Sequence, residues 1–184
     1  PYPELFAATR EHYEWVAERA AHHGVKALVE LHHGTVTASA SSARRLLEGL
    51  DPQHVGVIHD LGNLLIEGWE SPLPALQLLG PYLAHIHVKN ARWIRTEERD
   101  EAGAAVWVNE WAPLAEGQGS VLGYFKALAE VGYDEWVTVE DFSTDVPLTA
   151  RTAGNLQYLR RVAELAGLSV PAIADLSAGS IPKG

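Results

Sequence analysis

The sequence predicts an α/β fold, a parallel sheet with helices packed outside it, and three observations carry that expectation. Four short runs rich in apolar and β-branched residues read as buried strands: 26–31 (KALVEL), 55–60 (VGVIHD), 83–89 (LAHIHVK) and 136–140 (WVTVE). Each is followed by a polar or glycine-containing stretch and then a helical pattern, the alternation that builds parallel sheets. The first two strand–helix units repeat with a period of about 30 residues, the normal length of a βα module.

The helices follow from spacing and punctuation. Residues 3–23 place Leu5, Phe6, Val16, Ala17 and Ala20 at helical intervals, and Gly24 ends the run. Ser41 or Ser42 is expected to cap a helix through Leu50, which Asp51-Pro52 stops. A short helix is expected over 72–79. Ser120 is placed to cap the next, which runs to Gly132 with Leu122, Phe125 and Leu128 on one stripe. The last spans 149–166 and turns Leu156, Leu159, Val162 and Leu165 to the core. Residues 1–167 therefore read as one body, and 168–184, punctuated by proline and glycine, as an irregular tail. The third unit is stretched by 91–119, which holds Trp93, Trp107 and Trp111. A long loop after a strand's C-terminal end is expected to serve as a lid or specificity element.

Composition removes several classes. An apolar fraction of 47% and a charged fraction of 21% are ordinary for a globular domain, and 184 residues suffice for one core. No apolar run approaches bilayer length and no signal-peptide pattern opens the chain, so a membrane is not expected as partner. Without cysteine there is neither a disulfide framework nor a thiolate metal site, which is compatible with the cytoplasm. With 24 acidic against 14 basic residues the net charge is −10, and no basic stripe offsets it. Nucleic acid is therefore not expected either. The chain starts at Pro1 and contains no methionine, as a fragment or a processed chain would.

Side chains alternate along a strand, so residues of one parity share a face. Glu30 shares a face with Leu28, while Val29 and Leu31 point the other way. Asp60 goes with Ile58 and lies opposite Val57. His85 and His87 lie opposite Ile86 and Val88, and Glu140 goes with Thr138 opposite Val137 and Val139. One face is thus aliphatic and suited to meet helices. The other carries a polar group at its C-terminal end four times in four strands. Carboxylates placed this way are poorly solvated, and three together repel one another. A single divalent ion resolves both problems. Glu30, Asp60, Glu140 and a histidine of the third strand form a donor set that suits Mn²⁺, Mg²⁺ or Co²⁺, with Zn²⁺ as a further candidate.

The segments VELHHGT, GVIHDLGN, HIHVKN and VTVEDFS resemble successive strand ends of the xylose isomerase-like TIM barrel superfamily. That group comprises sugar phosphate isomerases and epimerases together with AP endonucleases of family 2. The order Glu, Asp, His, Glu is similar to the superfamily's metal quartet on strands five to eight. The resemblance runs from about Val25 to Phe142 and takes in the last helix. It implies a (β/α)₈ TIM barrel of which this chain supplies the C-terminal half. It also implies that His87 is the ligand, with His85 one layer deeper as a packed or hydrogen-bonding residue. Four earlier βα units are then expected. Either roughly 90 to 110 residues precede Pro1, or the half pairs with another chain, and a homo-oligomer is expected.

In enzymes of this kind the metal chelates adjacent carbonyl and hydroxyl oxygens of a sugar and acidifies the C–H between them. Two carboxylates then move the proton through an enediolate. Glu30 and Glu140 are the implied pair, each both ligand and acid/base. Lys89, two residues beyond His87, is a candidate to hold a substrate oxygen or stabilise its charge, against the alternative of a surface salt bridge. His32 is a candidate substrate contact or a hydrogen-bonding residue at the barrel mouth. Many relatives have histidine three residues after the Asp ligand. Asn63 stands there instead, able to hydrogen-bond a hydroxyl but a poor transition-metal ligand. Asn90 likewise replaces a commoner aspartate. The implied function is a metal-dependent sugar isomerase or epimerase acting on a small sugar or polyol-derived substrate. A dehydratase of the inosose or keto-acid type shares the enediolate step and is the alternative. A non-catalytic sugar-binding relative ranks below both, because all four ligand positions are intact. A DNA-repair endonuclease ranks last: it needs a three-zinc cluster with more histidines, and Asn63 removes one of them.

Overall fold

The computed structural model describes residues 2–170. Four strands, Ala27–Glu30 (β1), Val55–Asp60 (β2), Leu83–Val88 (β3) and Val137–Val139 (β6), form one parallel sheet in the order β1-β2-β3-β6. Six helices accompany them: Tyr2–His23 (α1), Ala40–Leu47 (α2), Leu61–Ile66 (α3), Pro72–Leu79 (α4), Val121–Glu130 (α5) and Leu148–Ala166 (α6). The faces divide as alternation requires in β1, β2 and β3, whereas in β6 Val137 is only partly buried and Val139 is 37% exposed. Val29, Leu31, Val55, Val57, Ile86 and Val88 are buried against the helices. Leu28, Ile58 and His85 are only partly buried on the opposite face. No helix among the described residues is long and apolar enough to cross a membrane.

Four elements depart from expectation. Of the α6 stripe expected to face the core, Val162 is buried and Leu159 partly so, but Leu156 and Leu165 are 48% and 57% exposed. The cap of α2 is Ser39 rather than Ser41 or Ser42. Its Oγ accepts from the Ser42 N–H at 3.2 Å while its own N–H donates to Ser42 Oγ at 3.1 Å, a reciprocal box that needs residues three apart. The same helix stops at Leu47, short of Leu50, because Gly49 turns the chain at φ +81° and Arg10 Nη1 takes up the carbonyls of Leu46 (2.6 Å) and Glu48 (2.7 Å). The insertion 91–119 is not a plain loop. Asn90–Arg99 (β4) and Ala105–Ala112 (β5) pair antiparallel as a separate two-stranded ribbon. A further helix, α3, was not expected at all. The part of the tail beyond residue 170 lies outside the described residues.

Glu70 locks the loop after α3 onto the start of α2. Its carboxylate accepts from the Ala40 N–H (2.7 Å), the Ser41 N–H (3.2 Å) and the Ser41 hydroxyl (2.6 Å). A carboxylate on free N–H groups at a helix N-terminus is stabilising on both hydrogen-bond and dipole grounds. Glu70→Ala is expected to cost about 1–2 kcal/mol, read as a fall of several degrees in thermal denaturation, with Glu70→Gln recovering part of it. An unchanged melting temperature would show that water replaces the clamp.

Candidate metal centre

Because the four sheet strands run parallel, their C-terminal ends share one rim. The β2–β3 register sets Asp60 beside His87. Backbone bonds from Leu31 N to Ile58 O and from Glu140 N to Val88 O, both 3.0 Å, carry Glu30 and Glu140 to the same rim. One donor atom from each of Glu30, Asp60, His87 and Glu140 lies within 4.8 Å of the others. His87 Nδ1 is 3.3 Å from Glu30 Oε1, 3.6 Å from Asp60 Oδ2 and 3.4 Å from Glu140 Oε1. His85 stays out of this group: its Nε2 is 2.8 Å from Thr138 Oγ1, further down the strand.

Lys89 lies inside the cluster and not on the surface. It is 3% exposed, and its Nζ is 2.8 Å from Glu140 Oε2, 3.0 Å from Asp60 Oδ2 and 3.7 Å from Glu30 Oε1. Gly62 makes room for it, since a Cβ there would collide with Lys89 Cγ. Burial works against the ammonium, and the bond to Glu140 with the charge of Asp60 outweighs it, so the Lys89 pKa stands above its ordinary value. His87 is likewise raised, by Asp60 first and then, against burial, by the charges of Glu140 and Glu30.

Asn63 is a hub. It is 1% exposed; its Nδ2 donates to Glu30 Oε1 (3.2 Å) and Leu31 O (3.0 Å), and its Oδ1 lies 3.1 Å from His33 Nδ1. Its N–H donates to Asp60 Oδ1 at 2.8 Å, the cap of α3. The amide expected to meet substrate hydrogen-bonds the Glu30 carboxylate and the neighbouring His33 ring. His32 is half-buried, its Nδ1 2.7 Å from the His33 carbonyl and its ring stacked on His33 at 4.3 Å. Sequence patterning assigns no role to His33 or Phe142, and it places Trp111 only within the insertion. All three border the cluster, and the doubled histidine of VELHHGT is the one local signal that pointed to any of them.

The donor set fits a hard divalent ion. Asp60 Oδ2 is buried and accepts no well-formed hydrogen bond, and its near neighbour is the Lys89 ammonium, ion-paired with it at 3.0 Å. That oxygen is thus ion-paired to Lys89 but keeps lone pairs that no hydrogen bond uses, and a metal ion could take one of them. The 4.8 Å spread of the four donors is close to the roughly 4 Å between opposite ligands of one octahedral ion.

Residues 1–162 match the family described as xylose isomerase-like TIM barrel, and the chain belongs to that family. The inosose dehydratase of Lacticaseibacillus casei is 28% identical over 131 residues, which cover 69% of this chain and 44% of that relative. Among solved structures, a xylose isomerase-like TIM barrel protein from Mycobacterium smegmatis in complex with magnesium is similar with a TM-score of 0.67. The identity is 24%, over 86% of this chain and 52% of that one. The D-psicose 3-epimerase of Clostridium cellulolyticum H10, with D-tagatose, gives a TM-score of 0.61 at 19% identity, over 86% of this chain and 56% of that one. The chain spans less than half the length of that curated relative and about half of these structures. At such identities the structural likeness shows the fold alone.

Proposed function

We propose that this chain carries the metal centre of a divalent-metal-dependent enzyme that removes a proton beside the carbonyl of a sugar or polyol-derived ketone. The observation that carries this is the convergence of three carboxylates and one imidazole within 4.8 Å at the rim of parallel strands. When bound, the ion supplies Lewis-acid polarisation of adjacent carbonyl and hydroxyl oxygens. Oxygen-rich donors favour Mg²⁺, Mn²⁺ or Co²⁺, and the imidazole keeps Zn²⁺ in contention.

Glu30 ends β1 and Glu140 follows β6, the two outer strands of the described sheet. Their carboxylates therefore enter from opposite flanks, an arrangement suited to taking a proton from one face of a carbon and returning it to the other. Asn63 holds Glu30 in place. Lys89, 2.8 Å from Glu140 Oε2, offers positive charge where a substrate oxygen becomes negative. Return of the proton gives isomerisation or epimerisation. Loss of a β-hydroxyl gives dehydration, the outcome that the name of the L. casei relative favours.

Turnover of keto-sugars and inososes in deuterated water by the full-length, Mn²⁺-loaded protein tests this reading. Solvent deuterium in an isomer or epimer assigns an isomerase, and loss of water assigns a lyase. Absence of exchange into every substrate sinks the proposal. Mn²⁺ is also expected to raise the melting temperature, reversibly with EDTA. A hundredfold excess over Kd adds about 2.7 kcal/mol, or several degrees, and a flat response would remove the metal from the site.

A further inference from the structure

An aromatic wall stands along one side of the carboxylate cluster. Lys89 Nζ lies 5.4 Å from the ring centroid of Trp111 and 5.4 Å from that of Phe142. The two rings are 5.8 Å apart at 51°, and His33 flanks Trp111 on another side at 6.0 Å. Trp111 is thus the central member, and it remains only partly buried while Phe142 is 54% exposed. Apolar ring surface open to water next to a charged, chelating cluster is surface that a ligand held there would cover.

The ribbon that carries Trp111 is fixed at its base. Trp111 pairs in register with Ala91, two residues beyond Lys89, and both Ala91 and Ala112 are 1% exposed. The Asn90 side chain donates to Leu114 O (2.8 Å) and Gly119 O (3.0 Å) and accepts from the Gly119 N–H (3.0 Å). Trp93 Nε1 donates to Leu65 O at 2.9 Å. Trp111 is therefore held at the anchored base of the ribbon.

We infer that Trp111 is a specificity-determining residue that stacks on the C–H face of a ring-shaped polyol, so that the site takes cyclic ketones in preference to open-chain ones. The inference rests on the proposed function only for placing the substrate at the cluster. In a six-membered ring with equatorial hydroxyls the axial C–H bonds form a flat face. Each carbon bears an oxygen, which leaves those hydrogens positive, a match to the negative face of an indole. Chelation through oxygens at the ring edge leaves that face free to meet a wall beside the cluster. An open-chain ketose has no fixed face and would lose internal rotations on stacking.

scyllo-Inositol and sorbitol each carry six hydroxyls on six carbons and differ in ring closure. Calorimetric titration of the full-length, Mn²⁺-loaded protein is expected to find scyllo-inositol bound about tenfold tighter. Trp111→Ala is expected to bring the two hexols within about twofold of each other, and Trp111→Phe to restore most of the preference. Equal affinities in the unmodified protein, no measurable binding of either hexol, or a preference that survives in Trp111→Ala overturns the inference. So does a loss that weakens both hexols alike, which is what a packing role would produce. The readings fail separately: missing deuterium exchange removes the proposed chemistry, whereas hexol preference needs no turnover and reports on Trp111.

Discussion

Glu140→Gln is expected to lower turnover by about a thousandfold while the fold stays intact. The substitution keeps the shape that accepts from Lys89 Nζ, now 2.8 Å from Oε2, but removes the charge and the ability to take up a proton at neutral pH. Glu140 is one of three carboxylates that face one imidazole and one ammonium, so the loss also weakens divalent-ion binding. Stability changes little, because the buried Lys89 keeps two carboxylate partners, Asp60 Oδ2 at 3.0 Å and Glu30 Oε1 at 3.7 Å. Raising Mn²⁺ separates the two roles. Saturating metal restores occupancy, followed by titration calorimetry, but does not restore deuterium exchange if Glu140 also moves the proton. More than about a tenth of the normal rate at saturating Mn²⁺ would confine Glu140 to ligation.

What could be read in advance divides along a physical line. Strand alternation is local and rigid, so parity alone put Glu30, Asp60, Glu140 and the HIH histidines on the face opposite Val29, Val57 and Ile86. Their chemistry is written in their side chains. Contacts between distant segments are not local. Asn63 reads as a lost histidine in sequence, and only the fold shows its amide spanning Glu30 and His33. Lys89 offered two readings, and the gap left by Gly62 decides for burial in the cluster. The ribbon escaped notice for another reason. A two-stranded ribbon standing off the sheet is open to water along most of β4, so Arg95, Glu97, Glu98 and Arg99 erase the period-two signal. The six residues of α3 are too few to show a helical period. That helix starts because Asp60 caps it through Asn63 N, a cap that a strand-ending aspartate does not advertise.

Acidification is expected to destabilise this protein through His59, which interrupts the helix-facing side of β2. His59 is 0% exposed; its Nδ1 lies 2.7 Å from the Tyr124 hydroxyl, and its Nε2 has no hydrogen-bond partner. Burial pushes the imidazole from 6.5 down to about 3, so it stays neutral in the folded chain. The unfolded chain takes up that proton below about pH 6.5, and therefore binds more protons than the fold between there and pH 3. The contribution is full above that window and is lost as pH falls through it, at about 1.4 kcal/mol per unit, on the order of 3 kcal/mol by pH 4. Carboxylates add their own acid dependence, so the useful quantity is a difference. His59→Asn cannot titrate but keeps a polar partner for Tyr124. It is expected to start less stable at pH 7.5 and then to lose stability less steeply in urea unfolding between pH 7 and 4. Parallel pH profiles for the two proteins would mean that water reaches His59 and that its ring is protonated inside the fold. Asp60, one residue away, belongs to the acidic cluster proposed to hold the metal. Loss of metal on acidification would destabilise the protein too, but it would be abolished by EDTA, whereas the His59 slope would persist in its presence.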